Sequence, residues 1–145
     1  MEIVLDASIA VKWFNVKSEN NVEVALKIQR QKILDELEVI VPDLFFLEII
    51  NVFLNRSKFS IEDIFAIEES LHKMNLKVIY PDHSILNSAI KIATICDLTI
   101  YDSFYIAVAK LCEVPLFTED KKILGSRNKF KFIKSLDEFQ MFYRS

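Results

Sequence analysis

Glycine is almost missing from this chain: Gly125 is the only one in 145 residues. That excludes phosphate cradles built from glycine backbone, so there is neither a GxGxxG turn nor a GxxxxGK[ST] loop. The GxSxG elbow of α/β-hydrolases is absent for the same reason. Histidine and cysteine are scarce, with two of each. His72 and His83 have no second His or Cys at ligand spacing, which argues against zinc. Cys96 and Cys112 form no CxxC pair and read as structural thiols of a reduced, cytoplasmic protein. No apolar run approaches the ~18 residues of a spanning helix, so no membrane partner is expected. The N-terminus, "MEIVLDAS", has an acid at position 2 and no basic n-region, and reads as a strand rather than a signal peptide.

Apolar side chains, in contrast, are plentiful. They make up 52% of the sequence, twelve of them Phe, against 27% charged residues, which is enough for a real core and too much for disorder. The length favours one domain spanning residues 1–145. Short apolar runs read as strands: "EIVLD" (2–6), "EVIVP" (38–42), "LKVIY" (76–80), "VPLFT" (114–118) and "KFKFI" (129–133). Helical stretches lie between them. "ASIAVKWF" follows the first strand, and residues 18–37 carry Val22, Ala25, Leu26, Ile33 and Leu37 at roughly helical spacing. "DLFFLEIINVFLNRS" (43–57) is a helix with Asp43 as N-cap, and Ser60 with Asp63 starts another that runs to about Met74. Residues 82–97 place Ile85, Ala89, Ile92 and Cys96 on one face, Thr99 and Asp102 open a further helix, and Ser135 with Glu138 caps a closing one. Continuous apolar strands interleaved with helices predict an α/β fold: a mostly parallel sheet of four to five strands with helices on both faces. Ligands of such folds bind beyond the carboxyl ends of the strands.

Acids stand where that rule looks. Asp6 ends the first strand, Asp120 follows the "PLFT" strand, Asp102 lies in the first turn of its helix, and Glu48 interrupts the apolar "DLFFLEIINVFL". Each has a structural explanation. Asp6 and Asp120 suit N-caps, Asp102 suits a capping box with Thr99, and Glu48 with Asn51 and Asn55 suits a narrow wet stripe. Four together suggest more. Two like charges ~4 Å apart at an effective dielectric of ~20 repel by roughly 4 kcal/mol, so a cluster on one rim needs a cation or raised pKa values. Without His or Cys, an all-oxygen site favours Mg²⁺ or Mn²⁺. Ser8, Asn51 and Thr118 lie close enough in sequence to orient such carboxylates.

Three blocks of the chain, "VLDASIAVKWF", "PDLFFLEIINVF" and "TIYDSFYIAVAKLCEVPLFTEDKKI", resemble in order the signature blocks of PIN-domain ribonucleases. Within that family the chain looks most like the VapC-type toxins of prokaryotic toxin–antitoxin pairs. The resemblance covers essentially the whole chain, and the last block is the most specific. It implies a three-layer α/β/α PIN-like fold and hydrolysis of RNA phosphodiesters with Mg²⁺ or Mn²⁺, leaving a 5′-phosphate and a 3′-hydroxyl. The acidic site carries over to Asp6, Glu48, Asp102 and Asp120, with Ser8, Asn51 and Thr118 in support. Asp120 is the least uniform of the four acids in such proteins, and Glu119 beside it is a possible substitute. One departure is the turn "CEVP", where family members often have a glycine.

The resemblance also implies an RNA substrate, a small antitoxin protein as partner, and a homodimer. Setting the four proposed ligands aside turns the formal charge of −3 into a slightly basic remainder. Lys121, Lys122, Arg127, Lys129, Lys131 and Lys134 follow Asp120 with no acid among them, so phosphate contact beside the site is plausible, as is a solvated basic loop. Lys12 is a further candidate for RNA contact. Trp13 is a candidate for base stacking or, more simply, for the core. Apolar residues in "VKWFNV" and "FQMFYRS" are candidates for a homodimer or antitoxin surface. Rival readings are disfavoured: a haloacid-dehalogenase-type phosphatase needs D-x-D where this chain has "DAS", and a receiver domain needs an acidic pair after the first strand. A catalytically idle PIN-like binding module and a housekeeping RNA-processing nuclease remain as alternatives.

Overall fold

The computed structural model describes residues 1–15 and 20–144. Strand β1 (Glu2–Leu5) lies at the centre of a five-stranded sheet of order β3-β2-β1-β4-β5. Its neighbours are β2 (Glu38–Pro42) and β4 (Leu116–Phe117); β3 (Lys77–Ile79) and β5 (Ile133–Lys134) form the edges. Every pairing is parallel, with Val4 opposite both Ile40 and Leu116. The continuous apolar runs within the strands follow from this. Ile3, Leu5, Val39 and Val41 pack into one core and Val4, Ile40 and Leu116 into another on the opposite face, so successive residues need apolar side chains on both sides.

Helices α1 (Ala7–Ala10), α2 (Val22–Ile33), α3 (Leu44–Leu54) and α4 (Ile61–Lys73) contribute to the first core. Helices α5 (His83–Cys96), α6 (Ile100–Cys112) and α7 (Lys121–Leu124) contribute to the second. Phe139, in the closing helix α8 (Phe139–Arg144), returns to the first. The three-layer α/β/α arrangement expected from the sequence is therefore the one found. The chain runs outward from β1 to β2 and β3, then comes back to β4 on the other side of β1. The carboxyl ends of β1 and β4 thus flank the point where strand order reverses, the usual binding crevice of open parallel sheets.

Local sequence chemistry sets the helix starts. Ser60 and Asp63 close a reciprocal capping box, and Ser135 with Glu138 closes another at a 3-10 turn (Leu136–Glu138) that leads into α8. Asp82 Oδ1 accepts from the Ile85 N–H at 2.8 Å. Some expectations shift. Asp43 does not cap α3 with its side chain; its backbone is already helical, and its N–H bonds the Ile79 carbonyl instead. Ile33 is 65% exposed, and Ile28 takes its place on the buried face of α2. The last strand begins at Ile133, after turns that occupy most of "KFKFI". Helix α3 is also less enclosed than its composition suggests. It buries Phe45, Ile49 and Phe53 but leaves Leu47 75% and Leu54 63% exposed.

With one glycine in the chain, left-handed backbone falls on other residues. Asn21, Asp35, Asn75, Asp97 and Glu113 all have positive φ, whereas Gly125 does not. Glu113 ends α6 at φ 55° in the "CEVP" turn, where only glycine would be strain-free. Glu113→Gly should therefore raise stability by up to about 1 kcal/mol in urea unfolding. Phe53 is fully buried with Phe14 and Phe59 edge-on against it, so Phe53→Ala should cost about 3–5 kcal/mol in the same measurement.

Candidate metal centre

Asp6 sits one residue past β1, at the crevice. Its side chain does not cap the short helix after it. Both nearby hydroxyls take it instead: Ser8 Oγ donates to Asp6 Oδ2 at 2.6 Å and Thr118 Oγ1 donates to the same oxygen at 2.8 Å. Each hydroxyl also accepts a backbone N–H from the turn after β4, Ser8 from Glu119 at 3.1 Å and Thr118 from Asp120 at 2.9 Å. The two hydroxyls thus fix the strand end, the turn and the carboxylate together. Among the described residues no protein donor reaches Asp6 Oδ1, so that oxygen remains for a ligand.

Asp6, Glu48, Asp102 and Asp120 all line one open cleft of about 310 Å³, with Ser8 and Asn51 in its wall. Four separate segments deliver them: the end of β1, the middle of α3, the first turn of α6 and the start of α7. Asp120 does act as an N-cap, its Oδ1 accepting from Lys122 and Ile123 N–H at 2.8 and 3.1 Å. Its second oxygen is outside that cap. Thr99 accepts from the Asp102 N–H and so sets the start of α6, leaving the Asp102 carboxyl half-buried at the cleft. Asn51 is exposed on the cleft wall, and its polar partner is Asn55 rather than a carboxylate.

Other candidates are placed elsewhere. Glu119, unlike Asp120, is not in the wall of this cleft, and its Oε1 accepts from the Leu136 N–H at 2.9 Å. Lys12 is only 5% exposed and donates to the Asn20 carbonyl at 2.7 Å, so it is built into the fold rather than presented to RNA. Trp13 is core, with Nε1 bonded to the Ala25 carbonyl at 2.8 Å. Arg127 pairs with Glu138, and Lys129 donates to the Ile95 carbonyl at 2.9 Å. Lys121 and Lys122 are exposed, and Lys122 lies near enough to Asp102 to favour its charge. The "VKWFNV" segment is not an exposed patch: Val11 and Trp13 are buried, while Val16 lies outside the described residues. In "FQMFYRS", Phe139 is core and Met141 is exposed; Ser145 lies outside the described residues.

The electrostatics match a crowded anionic site. Burial pushes Asp6 up to about 6 against the pull of its two hydroxyls, with Asp120 and Asp102 adding to the rise. Burial also pushes Glu48 up to about 7; the Tyr105 hydroxyl opposes this, and Asp6, Asp102 and Asp120 reinforce it. Asp102 is raised too, first by burial and then by Asp120. Among the described residues no three His, Cys, Asp or Glu groups converge tightly enough to hold an ion as they stand. The donor set itself is all oxygen and anionic, which fits a hard divalent cation and no soft one.

The PIN domain family model matches residues 3–125. The chain belongs to the PIN domain family. No curated protein matches it by sequence. Solved structures of similar fold include a toxin–antitoxin complex from Klebsiella pneumoniae, at 13% identity and TM-score 0.65 over 92% of this chain and 97% of that one. A protein from Pyrobaculum aerophilum is 22% identical, with TM-score 0.66 over 97% and 93% of the two chains. VapC20 of Mycobacterium tuberculosis, a Sarcin-Ricin loop cleaving toxin, is 13% identical, with TM-score 0.67 over 86% and 94%. At these identities the likeness is one of fold.

Sequence reasoning about this PIN domain missed one residue. Tyr105 Oη donates to Glu48 Oε1 at 2.7 Å, and the ring is 1% exposed. The available signal was its spacing, one helical turn after Asp102.

Raised carboxyl pKa values mean that the folded chain holds protons the unfolded chain has released. Stability from Asp6 and Glu48 is therefore complete below about pH 4 and is lost as pH rises through about 6 and 7. For Asp6, fully buried, the loss is about 3 kcal/mol at most. In EDTA at about pH 7.5, Asp6→Asn should melt higher than the parent by roughly 3 °C or more, and the gap should narrow as pH falls and close only near pH 4. A parent that melts equally high at both pH values would contradict the assignment.

Proposed function

We propose that this PIN domain is a metal-dependent endoribonuclease, a single catalytic unit over residues 1–145 that acts in the cytoplasm as the toxin of a toxin–antitoxin pair. One observation carries the reading: four carboxylates from four distant segments line one cleft at the strand ends, with no His or Cys in its wall. Family membership supports nuclease chemistry, and the fold likeness to a toxin–antitoxin complex supports the toxin role.

Asp6, Glu48 and Asp102 would hold a divalent ion, Mg²⁺ or Mn²⁺, with Asp120 contributing the oxygen not engaged in its cap. The ion, when bound, supplies a water of lowered pKa and neutralises charge at the scissile phosphate. The protein's own part is orientation. Ser8 and Thr118 hold Asp6 by one oxygen and so direct the other. Asp120 fixes the turn that presents Lys121 and Lys122, which stand beside the acids and suit the flanking phosphates of a single strand. No side chain in the cleft is required as general base.

An apolar strip borders the same cleft. Leu47, Leu54 and Tyr101 are exposed along a groove that also includes Glu48. A short antitoxin segment with apolar anchors would cover these residues and obstruct the acids together. A homodimer belongs to the same reading and is checked by light scattering.

In a cleavage assay on mixed RNA, Mn²⁺ should support cutting and EDTA should abolish it. Asp6→Asn, Glu48→Gln and Asp102→Asn should each lower the rate by roughly 100-fold or more, and Asp120→Asn by less. RNA binding without cutting, equal in parent and Asp6→Asn, would instead identify an idle binding module. Replacing both Lys121 and Lys122 with Ala should flatten the slope of log affinity against log salt by about 1.4.

A further inference from the structure

Tyr105 is buried among apolar neighbours of the second core, yet its hydroxyl reaches out of that core to the acid cleft. It lies on α6 three residues after Asp102, so both side chains leave the same side of the helix. The phenol donates to Glu48 Oε1 at 2.7 Å, and the Ala7 backbone N–H, next to Asp6, lies near enough to favour the phenolate. One hydroxyl therefore joins the helix that carries Asp102 to Glu48, close to the segment of Asp6. Packing alone does not call for it, since a Phe ring would fill the same space. Glu48, in turn, has a flexible side chain that loses conformational freedom when it is fixed on an ion, so a partner that already restrains it lowers that cost.

Resting on the nuclease reading above, we propose that Tyr105 is a positioning residue of the metal centre: its hydroxyl holds Glu48 Oε1 and leaves Oε2 as the oxygen offered to the ion. It is not itself a ligand. Support of this kind is worth tens-fold in affinity at other metal sites.

The test is Mn²⁺ titration calorimetry on the full chain, with parent, Tyr105→Phe, Glu48→Gln and the double variant. Tyr105→Phe should weaken Mn²⁺ binding about 10-fold and lower kcat at fixed Mn²⁺ while leaving KM for RNA unchanged. In the Glu48→Gln background it should cause no further loss. A ring that serves only the core would change melting temperature and leave Mn²⁺ affinity at the parent value, which would overturn the inference while the nuclease reading stood. A parent that neither binds Mn²⁺ nor cuts RNA would overturn both. If Tyr105→Phe does not fold, parent protein labelled with 3-fluorotyrosine supplies the answer. The Tyr105 fluorine resonance should shift on Mg²⁺ addition with the midpoint of binding, and an unmoved resonance would count against the proposal.

Discussion

The hydrogen bond from Thr118 to Asp6 ties the two central strands together at their carboxyl ends, and the site depends on it. Asp6 is buried, so its charge is costly unless donors meet it. Ser8 and Thr118 meet it from opposite sides of the strand-order reversal, and both are themselves held by backbone N–H groups of the turn that carries Asp120. The same two hydroxyls that make a buried carboxylate tolerable also fix where Asp6 and Asp120 stand relative to each other. Glu48 and Asp102 then arrive from helices on opposite faces of the sheet, packed into the two separate cores.

That arrangement sets stability against chemistry. A fold selected for stability alone would have no reason to bring four acids to one cleft without a matching set of cations. Burial and mutual repulsion raise Asp6 and Glu48 together, and Lys122 is the nearby cation that offsets Asp102. A divalent cation bound there would relieve that repulsion, so the strained feature coincides with the proposed functional one. At Asp120 a structural role leaves room for the proposed one: one oxygen closes the helix, and the residue still lines the cleft.

Much of this was legible from residue order. Continuous apolar runs such as "IVL" require cover on both faces and hence a parallel sheet, and the acids after β1 and β4 fall where such sheets usually bind ligands. Glu48 stood out because nothing else on its helix is charged. Less legible were features decided by three-dimensional neighbours. Asp43 looks like a cap, but the proximity of Ile79 gives its backbone another partner. Lys12 looks like a free cation, but it is buried and bonded to the Asn20 carbonyl. Tyr105 looks like one more core aromatic, and only the closeness of α6 to α3 gives its hydroxyl a partner in Glu48. Leu47 and Leu54 read as buried because helix composition cannot show which side lacks a neighbour.

The central claim is that the four carboxylates form one cation site. Anomalous diffraction from crystals grown with Mn²⁺ tests it most directly. The account predicts a strong anomalous peak in the cleft, roughly 2.0–2.3 Å from Asp6 Oδ1 and bridged to at least one of Glu48 and Asp102. Well-ordered crystals with Mn²⁺ bound only at surface carboxylates, and none at Asp6, would contradict it.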